Sequence, residues 1–406
     1  MADLNATPSS ERVHIGIFGK RNAGKSSLVN AITGQNLAIV SPVMGTTTDP
    51  VYKSMEILPL GPVEIIDTPG LDDDEGELGL KRIEKAYQVL NKTDIALLVV
   101  DATIGMTDQD YAIVTQFQAK NINFIIAYNK ADLLNNREPK IPLEFVKNTI
   151  LVSSITKANI KELKERLAHL VPSETMTGRI IGDLLHTNDL VILVVPIDSA
   201  APKGRLILPQ QQVIRDTLES GATALVVRES ELMDTLNTIG KNVRMVVTDS
   251  QAFSVVSTIV PDYIPLTSFS ILFARYKGDV ATAITGAKVL SSLQAGDKIL
   301  IAEGCTHHRQ CDDIGSVKLP KWIKEFTGCT PVFEFCSGTE FPQDLRKYKL
   351  VVHCGGCMLN EREMQHRIKV AKEQNVPITN YGIVIAYMNG ILKRAIAPLP
   401  DLNKLL

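Results

Sequence analysis

Short apolar runs alternate with amphipathic stretches along most of this chain. Residues 13–18, 63–67 and 95–100 read as buried strands, and 27–33 and 163–170 as helices. Residues 171–178 lose the apolar period and carry Pro and Gly, which marks a linker. Beyond it the alternation resumes. Strands are predicted at 190–195, 222–227 and 243–248, with helices over 210–220 and 230–239 between them. A third set has strands at 297–302, 331–335 and 348–352 and helices at 318–326 and 361–373. Strand–helix alternation of this kind predicts α/β architecture with parallel sheets.

With 406 residues, two or three domains are expected. Divisions are read at 1–173, 174–266 and 267–406, with 1–10 as an irregular lead-in. An apolar fraction of 45% and a charged fraction of 22% are those of a globular protein. No apolar run approaches the roughly 18–20 residues of a spanning helix, so no membrane association is expected. The first residues show no signal core, which reads as cytoplasmic. A net charge of −2 speaks against a broad basic field for nucleic acid. In a reducing compartment the six cysteines are expected to be free thiols or metal ligands.

The strand at 13–18 runs into Gly19-Lys20-Arg21-Asn22-Ala23-Gly24-Lys25-Ser26-Ser27, the phosphate-binding pattern Gly-x-x-x-x-Gly-Lys-Ser followed by a helix. Its glycines let backbone N–H groups face phosphates, Lys25 would reach the β- and γ-phosphates, and Ser26 would ligate Mg2+. Within the loop 45–49, Thr47 is the expected second Mg2+ ligand. Asp67-Thr68-Pro69-Gly70 supplies an Asp that holds the metal through water and a Gly that senses the γ-phosphate. Asn129-Lys130-Ala131-Asp132 gives base specificity, since the Asp132 carboxylate matches the guanine N1–H and amine while adenine leaves it unpaired. Ser153 and Ser154 close the base pocket. Five motifs in order predict a GTP-hydrolysing P-loop domain.

Leu71 follows Gly70 where many small GTPases have a water-orienting Gln, so another group must handle the water or the charge. Asp72, Asp73, Asp74 and Glu75 are the nearby candidates. Asn22 inside the phosphate loop resembles the loop asparagine of the TrmE-like GTPases. That resemblance implies K+ beside the phosphates, in place of an arginine finger.

The middle segment shows no Gly-x-Gly-x-x-Gly and no evident chemistry, which by exclusion suggests a dimerisation module. Asp198, Lys203 and Arg205 read as a surface loop. The last segment is different. Its strands run into Cys305-Thr306-His307-His308 and His353-Cys354-Gly355-Gly356-Cys357. Loops at the carboxyl ends of parallel strands gather on one edge, so Cys305, Cys354 and Cys357 would converge. Three readings stay open: a redox pair, a Cys3His zinc site, or an iron–sulfur cluster with one exchangeable position. His307, His308 and His353 compete as fourth ligand or supporting group. Cys311, Cys329 and Cys336 read as unliganded thiols, with Cys336 in reserve.

Cys-x-His, a long gap and His-Cys-x-x-Cys behind a GTPase domain resemble the HydF family of FeFe-hydrogenase maturation GTPases, along the whole chain. The resemblance implies a 4Fe–4S cluster on Cys305, Cys354 and Cys357, with His307 as a candidate fourth ligand. It implies a dimerisation domain in the middle and a cluster domain at the end. It also implies a scaffold that carries a di-iron precursor, with two radical-SAM maturases and the FeFe-hydrogenase apoprotein as partners. The alternative is a TrmE-like tRNA-modification GTPase with structural zinc.

Overall fold

The computed structural model describes residues 7–34, 50–70, 77–135, 137–171, 178–197, 206–304, 313–338, 340–399 and 402. Thr47, Leu71 to Glu75, Asp198, Lys203, Arg205, Cys305, His307, His308 and Cys311 lie outside them. Contacts divide the chain into two compact units, Met1–Thr177 and Gly178–Leu406.

The first unit is built on β1 (Val13–Phe18), β2 (Val51–Ile57), β3 (Gly61–Asp67), β4 (Ile95–Asp101), β5 (Asn123–Asn129) and β6 (Thr149–Leu151). Among the described residues they form one six-stranded sheet in the order β2-β3-β1-β4-β5-β6. All pairs are parallel except β2 with β3. In β4 every residue from Ile95 to Val100 is buried. A continuous apolar strand of this kind is what a sheet covered on both faces requires. Helices Lys25–Thr33 and Ile160–His169 contribute to the core on one face, and Glu77–Leu90 and Asp108–Ala119 to that on the other.

The second unit holds two parallel sheets. One comprises β7 (Leu190–Val194), β8 (Thr223–Val227), β9 (Val243–Thr248) and β10 (Leu266–Ser268), in the order β10-β9-β7-β8. The other comprises β11 (Lys298–Glu303), β12 (Val332–Ser337), β13 (Leu350–His353) and β14 (Ile378–Asn380), in the order β12-β11-β13-β14. The pattern of the sequence predicts three strands in each; β10 and β14 are the additions. Each is only three residues long, below the length at which periodicity is readable.

The two sheets share one apolar core. Buried residues of β7 and β9 join those of β11 and β13 through helices Phe269–Lys277, Val280–Ala287 and Tyr381–Met388. Ser268 and Asn380 cap two of these helices, accepting from the N–H groups of Ile271 at 3.3 Å and Ile383 at 2.9 Å. Asn380 also donates to the Ser270 carbonyl at 2.9 Å, and Arg394 donates to the carbonyls of Ser257, Val260 and Pro261. The unit therefore responds as one packed body rather than as two beads.

In the last sheet the chain leaves β11 for β12 on one side and returns to β13 on the other. The order reverses between β11 and β13, the position where α/β sheets open a crevice at their carboxyl ends. Both cysteine loops leave from these two strands.

Candidate functional site

The nucleotide loop is built by close backbone approach. Gly24 takes a left-handed conformation (φ +93°) and a Cβ there would overlap Asn129 Nδ2. Lys25 is buried, and its Nζ donates to the carbonyls of Gly19 at 2.8 Å and Lys20 at 2.9 Å. The loop thus holds its own cation at the place where phosphates need one. Gly19, Ala23 and Ser27 lie along the same turn and helix start. Asn22 is exposed at φ +63°.

Ser26 Oγ donates to Asp67 Oδ2 at 3.2 Å, so the two residues expected around Mg2+ stand together. Asp67 Oδ1 is buried without a hydrogen-bond partner. Burial raises the Asp67 pKa, partly opposed by Lys25 and by the Ser26 bond. An orphaned carboxylate oxygen beside a hydroxyl fits a hydrated hard cation. Gly70 sits close to the other side of the loop, where a Cβ would meet Arg21 N at 3.0 Å.

The base loops are cross-braced. Asn129 is fully buried; its Nδ2 donates to the Ala23 carbonyl at 3.1 Å and its Oδ1 accepts from Ser154 N–H at 3.0 Å. It ties the phosphate loop to the base loop. Ser153 Oγ donates to Asp132 Oδ1 at 2.5 Å and accepts from Thr156 N–H at 3.1 Å. Lys130, at φ +65°, pairs with Asp101 at 2.6 Å.

In the last sheet, Ala302 is in register with His353, and Cys354 N–H donates to the Ala302 carbonyl at 2.9 Å. The N–H of Gly304, the residue before Cys305, donates to Cys354 Sγ at 3.0 Å, and Gly356 N–H does so at 3.4 Å. Gly356 adopts φ +66°, which turns the chain between Cys354 and Cys357. Burial raises the pKa of both thiols; the Gly304 and Gly356 N–H groups oppose it at Cys354, while Cys357 is pushed up to about 12 by burial and by Cys354. Two half-buried, soft donors in a tight turn, one of them receiving N–H···S bonds, suit a metal that displaces the protons. Among the described residues no three His, Cys, Asp or Glu side chains converge as a metal-holding group.

His353 is settled by its partners. Its Nδ1 lies 2.8 Å from the Cys354 carbonyl, which only accepts, and its Nε2 lies 3.0 Å from Arg367 Nη1, which only donates. Both nitrogens are used, in the Nδ1–H tautomer. Burial and the Arg367 charge lower its pKa to about 3, so the ring is neutral. It supports the cysteine turn and leaves no lone pair for a metal. Arg367 is itself buried, bonded to Glu363 Oε1 at 2.8 Å and to the Gly338 carbonyl at 2.6 Å, and lies over the Phe341 ring. Lys277, also buried, donates to the Leu359 carbonyl at 3.1 Å. Neither cation stands out in the sequence. The Glu363–Arg367 spacing on one helix face is the only hint, and it reads first as a surface ion pair.

Residues 180–278 match the hydrogen maturase F dimerization domain, and residues 281–398 the hydrogen maturase F tetramerization domain. Residues 14–130 match the 50S ribosome-binding GTPase family. The chain belongs to the hydrogen maturase F (HydF) family. Behind a GTPase-type domain it carries that family's dimerization and tetramerization domains. Among curated relatives it is similar to GTPase Der of Kosmotoga olearia, 35% identical over 142 residues, 34% of this chain and 32% of that protein. It is also similar to the tRNA modification GTPase MnmE of Thermoanaerobacter sp., 34% identical over 163 residues, 40% of this chain and 35% of that protein. The match spans about a third of the length of these curated relatives. Among solved structures, Era of Aquifex aeolicus matches at 21% identity and TM-score 0.35, over 53% of this chain and 92% of that one. Among the described residues of this HydF chain, no helix is long and apolar enough to cross a membrane.

Proposed function

We propose that this HydF chain is a GTP-driven scaffold that holds a 4Fe–4S cluster on Cys305, Cys354 and Cys357. It carries a di-iron precursor to FeFe-hydrogenase. The observation that supports the cluster most directly is the 3.0 Å bond from Gly304 N–H to Cys354 Sγ. It brings the residue next to Cys305 against the first thiol of the Cys-x-x-Cys turn. Bound there, the cluster would offer an exchangeable iron position, with His307 as the candidate fourth ligand. The switch point between β11 and β13 is the position at which such sheets take a guest.

In the nucleotide site, Lys25 and the loop N–H groups would bind the phosphates of GTP, and Ser26, Asp67 and Thr47 would hold Mg2+. Asp132, braced by Ser153, reads the base, and Gly70 senses the γ-phosphate. K+ at Asn22 would stimulate hydrolysis. Equal turnover in sodium and potassium salts would remove K+ from this account.

The division at 1–173, 174–266 and 267–406 belongs to the same proposal, with the middle part pairing two copies. So do the two radical-SAM maturases and the hydrogenase apoprotein as partners, and a cytoplasmic location. The test is anaerobic reconstitution with iron and sulfide, followed by metal analysis and EPR of the reduced sample. About four irons per chain are expected from the cluster type. A Cys305, Cys354, Cys357→Ala triple variant should lose both iron and signal. One zinc per chain and no EPR signal would overturn the cluster.

A further inference from the structure

The turn Cys354 to Leu359 is held at both ends by buried cations. At its start, Arg367 (1% exposed) donates to His353 Nε2, and His353 Nδ1–H donates to the Cys354 carbonyl. At its end, Lys277 (2% exposed) donates to the Leu359 carbonyl. The two come from different helices, Glu361–Glu373 and Phe269–Lys277. Burying a cation costs several kcal/mol unless nearby groups offset it. Glu363 offsets part of the cost for Arg367. The guanidinium charge favours the thiolates of Cys354 and Cys336, while the Glu303 carboxylate opposes it at both, and at Cys354 more strongly. The ammonium of Lys277 acts on Cys357. Each cation is thus tied to one end of the turn that carries the two thiols, Arg367 through His353 and Lys277 directly, while Cys-x-x-Cys itself contributes no positive charge.

We propose that Arg367 and Lys277 are the built-in countercharges of the cysteine turn: positioning residues that fix its two ends and stabilise an anionic metal–thiolate centre, most of all in its reduced state. The inference rests on the cluster reading above. Every thiolate ligand adds a negative charge, and one-electron reduction of the cluster adds another. Fixed positive charge behind the turn favours the more negative state. The two cations act on different thiols, so their effects should add.

The test uses the full chain, reconstituted anaerobically and titrated potentiometrically by EPR, with dithionite as electron donor. Arg367→Gln and Lys277→Gln each keep an N–H donor and remove the charge. Arg367→Lys and Lys277→Arg keep the charge. The Gln variants should bind as much iron as the parent and shift the midpoint to more negative potential, further in the double variant. The charge-keeping variants should stay near the parent. If a Gln variant fails to hold iron while its charge-keeping counterpart holds it, the countercharge role also stands. Unchanged midpoints in iron-replete Gln variants would overturn it. So would equal shifts, or equal iron loss, in all four variants, which would mark simple packing. A parent chain that takes up no cluster would overturn this inference together with the reading beneath it.

Discussion

The nucleotide loop and the cysteine turn solve the same problem in opposite ways. Both follow a parallel strand next to another strand end, and on the function proposed above both hold concentrated negative charge. In the first, the cation, the glycines and the Mg2+ hydroxyl come from one run, Gly19 to Ser26, and Lys25 folds back on its own loop carbonyls. In the second, the thiols are local but their support is not. Lys277, Gly304, Gly338 and the Glu363–Arg367 pair come from four separate stretches of chain. A phosphate site can be written in eight consecutive residues because backbone N–H groups do most of the binding. A thiolate site needs charges brought in by packing.

The sharpest break in that comparison is Glu363→Ala. It leaves Arg367 buried with less compensation, a change that costs about 3–5 kcal/mol when a buried pair loses one member. Denaturant melts should show this loss at 178–406, with nucleotide binding by the other unit unchanged. Lys25→Ala should act the other way round. GTP turnover should fall by about 10²–10³-fold, as for other preorganised charges, while iron uptake stays at the parental level. If iron uptake also fell, the two sites would be coupled before any guest arrives.

Asn129→Ala comes next. It orphans the Ala23 carbonyl and Ser154 N–H, worth about 1–3 kcal/mol for each buried group left unmade. Weaker GTP binding should accompany the lost stability, because the brace joins the phosphate and base loops. Asp279→Asn should give the smallest effect. Burial opposes the Asp279 charge, but Lys372 and the hydroxyl and N–H of Thr282 outweigh it and hold the carboxyl at about 2. A pKa below the unfolded value means stability present above about pH 4 and lost as pH falls toward 2. Asp279 is half-buried and Lys372 exposed, so solvent screening keeps the loss under about 1 kcal/mol. Melting curves of parent and variant should differ at pH 7 and merge near pH 2.

The two regions also differ in how far the sequence could be read. Strand and helix periods located β1, β3, β4, β7, β9, β11 and β13 to within a residue or two, because each has four or more residues and an apolar majority. β10 and β14 escaped, being three residues each. Lys25, Ser26, Asp67, Gly70 and Asp132 were legible as motifs, since each role demands one residue type at one spacing. The bracing role of Asn129 was not, nor was the commitment of both His353 nitrogens. His353 reads as a potential ligand beside Cys354 until Arg367, distant on a helix, is seen to take its lone pair.

The sequence by itself determined a GTPase first domain, parallel α/β sheets behind it and a cysteine turn on a strand end. These rest on local chemistry: apolar period, glycine turns and fixed donor spacing. Only the tertiary structure decided that the last two sheets share one core and that β11 and β13 flank the reversal of strand order. It also decided which side chains surround the thiols. Those outcomes depend on packing between elements far apart in the chain, where burial selects partners that no spacing rule encodes.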